Sequence, residues 1–87
     1  MSITFPNPSR SYDDRNDWVR FVGHDGMFQI SFSIAAAALS KKIARQLRTE
    51  EEFLSAFDAE RPSIETIASK AYSQTRKSSY AFTADDI

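Results

Sequence analysis

The sequence predicts an α+β fold: an antiparallel sheet of three to four strands with three helices packed on one face. Two observations carry this reading. Apolar residues alternate along the chain up to Ile34 and then switch to helical spacing at Ala35. The strand and helix patterns stay segregated until one last apolar run, Tyr80-Ala81-Phe82-Thr83. With 87 residues, a single domain spanning 1–87 is expected.

The first strand is Ile3-Thr4-Phe5, stopped by Pro6 and Pro8, since proline cannot donate to a ladder. Ser9 to Asn16 reads as a polar connection. Trp18-Val19-Arg20-Phe21-Val22 and Met27 to Ile34 then flank Gly23-His24-Asp25-Gly26, the pattern of a hairpin with a four-residue loop. Pairing Val22 with Met27 sets Phe21 opposite Phe28 and Val19 opposite Ile30. The expected core face is Val19, Phe21, Phe28, Ile30 and Phe32; the outer face is Trp18, Arg20, Gln29 and Ser31.

Ala35/Ala36, Leu39, Ile43 and Leu47 recur at helical spacing, with Ser33 as N-cap. Thr49-Glu50-Glu51-Glu52 has the spacing of a capping box and opens a second helix over Phe53, Leu54 and Phe57. Arg61-Pro62-Ser63 breaks that pattern. A third helix follows, with Ile64, Ile67, Ala68, Ala71 and Tyr72 on one face. The last strand is Tyr80–Thr83, free to pair with the hairpin or the N-terminal strand, and Asp85-Asp86-Ile87 is a frayed tail.

Several residue groups resemble one family. Phe5-Pro6-Asn7-Pro8-Ser9-Arg10-Ser11-Tyr12-Asp13, Val19-Arg20-Phe21 and Gly23-His24-Asp25 are its most specific features. Ala37-Ala38-Leu39, Ala56-Phe57-Asp58 and Ile64 to Tyr72 add weaker ones. Together they resemble the domain of unknown function 1488 family of small bacterial proteins, with Asp86-Ile87 standing where that family has Asp-Phe. The resemblance implies a compact α+β domain. It brings no catalytic residue, cofactor or ligand with it.

Composition narrows the chemistry. There is no cysteine, which removes disulfides, zinc-thiolate sites, iron–sulfur clusters and thiol nucleophiles, and favours a cytoplasmic setting. The N-terminus lacks the basic and apolar regions of a signal peptide, and no apolar run reaches the length of a membrane span. The net charge is −1, without the basic bias of a duplex-coating protein.

His24 is the only histidine, beside Asp25. A metal site would need further ligands, and a Ser-His-Asp hydrolase would need a nucleophile elbow that is missing. The pair reads instead as turn chemistry. Asp13-Asp14-Arg15-Asn16-Asp17 lacks the glycine and distal glutamate of a calcium loop. No catalytic residue, metal ligand or cofactor is therefore expected.

Two binding surfaces are expected. Trp18, Arg20 and Gln29 on the outer sheet face, joined by Arg10, Tyr12 and Arg15, combine aromatic and guanidinium groups as protein-binding hot spots do. Lys41, Arg45 and Arg48, with Lys42 beside them, form a basic helix face able to meet nucleic-acid phosphates. The leading function is a non-catalytic interaction or regulatory module binding a protein partner. A weak nucleic-acid binder is the alternative, and an enzyme built on Asp25, His24 or the Arg10/Arg15 pair ranks third. A monomer or weak homodimer is expected, since an unpaired edge strand permits self-association.

Overall fold

The computed structural model describes residues 3–6 and 10–86. Pro8 and Ser9, expected to stop the first strand and open the polar connection, and Ile87 of the tail lie outside the described residues.

Four strands form one sheet in the order β1-β2-β3-β4: β1 (Arg10–Asp13), β2 (Trp18–Asp25), β3 (Phe28–Ala35) and β4 (Ser79–Phe82). Two helices, α1 (Ala36–Ile43) and α2 (Glu50–Gln74), cover one face. The α+β class stands, with two corrections. The sheet is mixed, because β3 and β4 are parallel, and the described residues form two α-helices rather than three.

Both corrections have one cause. The apolar stripe of α2 runs Phe53, Phe57, Ile64, Ala68, Tyr72, and Phe57 and Ile64 stand seven residues, about two turns, apart. The stripe thus stays in phase across Pro62, so burial on the sheet carries one 25-residue helix through the proline. That helix returns the chain to the end where β3 begins, and β4 enters beside β3 in the same direction. The capping box does form: Thr49 Oγ1 accepts from the Glu52 N–H at 3.1 Å, and the Thr49 N–H donates to Glu52 Oε1 at 3.0 Å. Ser33 is not the cap of α1. Ala35 holds that place without a side-chain bond, and the Ala36 N–H donates to the Asp17 carbonyl. α1 ends at Ala44, which adopts a left-handed φ of 54°.

The hairpin is longer than expected. Gly23, His24 and Asp25 belong to β2, and the connection is the two residues Gly26-Met27, with Gly26 at φ 61°. Phe21 faces Phe32 and Val19 faces Ile34, a register four residues further along than read from the sequence. An even shift keeps every side chain on its face, so Val19, Phe21, Ile30 and Phe32 are buried as expected. Phe28 is the exception. It lies on the helix side but beyond the reach of α2, and is 72% exposed.

The first paired strand is Arg10–Asp13, inside the segment read as a polar connection. Arg10 and Tyr12 point to the helix side, where a guanidinium and a phenol reach α2. Ile3-Thr4-Phe5 makes a single bridge, Thr4 with His24, rather than a full strand. At the other end Ala84–Asp86 forms a 3-10 turn instead of fraying, with Asp86 Oδ2 accepting from the Thr83 N–H at 2.8 Å.

Candidate interaction site at the hairpin tip

The tip of the β2–β3 hairpin is the least expected surface of the molecule. Met27 is fully exposed at 100%, next to the exposed Phe28. Turn chemistry asks for glycine at the first position and makes no demand for methionine at the second. Beside them opens a groove of 640 Å³, bounded by β3 residues Phe28 to Ile30, by Tyr72 of α2 and by the connection Arg76-Lys77-Ser78.

Its walls come from two stretches far apart in the chain, the hairpin and the end of α2. Tyr72 is buried against the core and its hydroxyl donates to Asp25 Oδ2 at 2.5 Å, tying the C-terminal end of α2 to the hairpin. That bond to a carboxylate, more than burial, raises the Tyr72 pKa above its ordinary value. The following connection is held by Tyr80. Its hydroxyl donates to the Thr75 carbonyl and accepts from the Lys77 N–H at 2.9 Å. Arg76 sits 5.8 Å from the centre of the Tyr72 ring, and Lys77 Nζ 6.0 Å from that of Tyr80. An apolar floor rimmed by two cations results.

Comparison with known families fits the same architecture. Residues 3–83 match the family model described as Protein of unknown function (DUF1488). The chain belongs to this family. A crystal structure of a DUF1488 protein of unknown function from Shewanella loihica PV-4 is similar, with a TM-score of 0.82 and 23% identity. The likeness covers 92% of this chain and 90% of that one, and at this identity it shows the fold alone. No curated protein matches the sequence.

In this DUF1488 member the six residues expected on one protein-binding face are divided. Arg10 lies on the helix side in a two-pronged pair with Asp58, Nε to Oδ1 at 3.0 Å and Nη2 to Oδ2 at 2.9 Å. These bonds hold the Asp58 carboxyl below its usual range. Tyr12 stacks on Phe53 at 5.3 Å with the rings almost parallel, and its hydroxyl donates to Asp17 Oδ1. Desolvation first, and that bond second, push its pKa up to about 12. Arg15 sits in the exposed β1–β2 turn. Trp18 and Arg20 do share the open sheet face, Trp18 half-buried at its end and Arg20 paired with Asp13 at 2.9 Å. A smaller groove of 330 Å³ follows this face along Ser11, Arg20, Val22, Ser31 and Ser33. Gln29 is exposed and lines the hairpin-tip groove.

The basic residues do not form one helix face, because α1 stops at Ile43, before Arg45 and Arg48. Lys41 Nζ donates to the Ala84 carbonyl at 2.8 Å, Lys42 lies 3.8 Å from Glu60, and Arg45 lies 3.9 Å from Glu52. The Arg48 guanidinium has no partner among the described residues. His24 pairs with Gln29 within the ladder, not in a loop. Among the described residues no three His, Asp or Glu side chains converge as a metal site would need, and no helix is long and apolar enough to cross a membrane.

Sequence reading misses Met27, Phe28, Tyr72, Arg76 and Lys77 as a group. Tyr72 reads as core, and Arg76 and Lys77 carry no pattern of their own. The one available signal is Gly26-Met27, a glycine-first pair suited to a two-residue turn, which would have placed Phe28 at the tip.

Proposed function

We propose that this chain is a non-catalytic interaction module that docks a partner protein through the tip of the β2–β3 hairpin. The exposure of Met27 and Phe28 side by side carries the reading. A chain with so small a core has little apolar surface to leave in water without use, and methionine with an aromatic is a frequent pair at docking surfaces. The adjoining groove gives the two side chains a continuous apolar surface ending on Ile30 and Tyr72.

The nucleic-acid alternative has less support, since three of its four cations are engaged within the fold. One experiment addresses both. Clarified lysate is passed over immobilised wild type, Met27→Ser/Phe28→Ser and Lys41→Ala/Arg48→Ala, at low and high salt. A defined protein retained at high salt, and lost only on the hairpin variant, is expected. Retention unaffected by the hairpin variant sinks the reading. Nucleic acid released by salt and lost on the lysine–arginine variant would favour the alternative.

A further inference from the structure

Resting on the docking reading above, we infer that the hairpin-tip groove takes an extended, acidic peptide segment of the partner, with one apolar side chain as its anchor.

The extended form follows from the backbone. His24 exchanges both main-chain hydrogen bonds with Thr4, each 2.8 Å, on the β1 side of β2. The His24–Gln29 pair is therefore a non-bonded one, and the Gln29 N–H and C=O point away from β2. The ladder on that side begins one step later, where the Ser31 N–H donates to the Ser78 carbonyl at 3.0 Å. Gln29's main-chain groups thus have no partner among the described residues, at the mouth of the groove. A free strand edge accepts an extended chain through such groups.

Size and charge set the rest. The groove's 640 Å³ lies within the range of sites that enclose a ligand group, and its floor of Ile30 and Tyr72, walled by Phe28, is apolar. Arg76 and Lys77 form the rim, and among the described residues neither lies in an ion pair with a carboxylate. The acid facing them is Asp25, whose carboxylate already accepts the Tyr72 hydroxyl. Two cations against one engaged carboxylate leave a positive rim, and its complement is Asp or Glu beside the anchor. The Tyr80 bonds to Thr75 and Lys77 fix the rim before a partner arrives, which lowers the entropy lost on binding.

The test pans a library of short random peptides on the whole chain. An enriched peptide and its counterpart with Lys at every acidic position are then titrated by fluorescence anisotropy. The proteins are wild type and Arg76→Glu/Lys77→Glu, both at exposed positions, with folding of the variant checked first by circular dichroism. Expected are sequences with Asp or Glu flanking an aromatic or branched apolar residue. Charge reversal should weaken binding about tenfold or more, and the Lys peptide should regain it on the reversed protein. Binding should also slow hydrogen exchange at the Gln29 amide. Absence of enrichment, sequences without acidic residues, equal binding to the reversed protein, or self-association of the chain in place of peptide binding would each overturn the inference. A lysate partner lost on Met27→Ser/Phe28→Ser would then still uphold the docking reading, so the two fail separately.

Discussion

A Cβ placed on Gly23 would lie 2.7 Å from Ile3 Cδ1 and 2.8 Å from Phe5 Cε1. Thr4 between them is held to His24 by two main-chain bonds, so the room must come from the Ile3 and Phe5 side chains themselves. Gly23→Ala should therefore lower stability by about 1–3 kcal/mol, the usual cost of overpacking, and expose the Thr4 amide to hydrogen exchange. An unchanged urea midpoint would show that the N-terminal segment gives way at no cost. Tyr12 offers a pH-dependent test at the same scale. Its pKa is raised from 10.0 to about 12, so the folded state holds the phenolic proton more tightly than the unfolded chain does. The stabilisation is fully present below pH 10 and is lost as pH rises from 10 to about 12. Tyr12→Phe should remove that part of the alkaline decline, read from urea midpoints across the window. A decline of the same size in both proteins would assign it elsewhere.

α2 shows where local rules and packing compete. The Thr49–Glu52 capping box is legible in the sequence because every group in it lies within one turn, and the helix begins where those residues say. Pro62 is equally visible and points the wrong way. It removes one N–H from the helix, a loss of the order of 3 kcal/mol in an exposed host, yet Phe57, Ile64, Ala68 and Tyr72 are buried on both sides of it. Pro62→Ala restores a donor to the Asp58 carbonyl. It should raise stability by about 1–2 kcal/mol, less than the full cost because proline also stiffens the unfolded chain. A urea midpoint that falls would mean that the fixed backbone geometry of Pro62 itself helps seat α2 on the sheet. Arg10–Asp13 escapes notice for the opposite reason. A strand whose inward residues are Arg and Tyr looks polar until Asp58 and Phe53 of α2 are there to meet them.

For the molecule as a whole, the sequence carries the faces of the sheet better than its register. Period-two alternation assigns Val19, Phe21, Ile30 and Phe32 to the core whichever of two even registers the hairpin takes. It cannot show where the covering helix ends, and that limit decides Phe28. Alternation places Phe28 in the core, whereas α2 ends at Gln74 without covering it, and Phe28 stays 72% exposed. The site is for that reason nearly invisible beforehand: Asp25, Phe28, Tyr72 and Arg76 meet only because a parallel β4 brings the end of α2 to the hairpin. This difference is measurable without any partner. If Phe28 belongs to the core, Met27→Ser/Phe28→Ser should cost at least about 2 kcal/mol, as large apolar deletions do. With both side chains standing in water, the same change should shift stability by no more than about 0.5 kcal/mol. The second outcome is expected in urea unfolding. It would separate the tip from what holds the fold together, as the docking proposal requires.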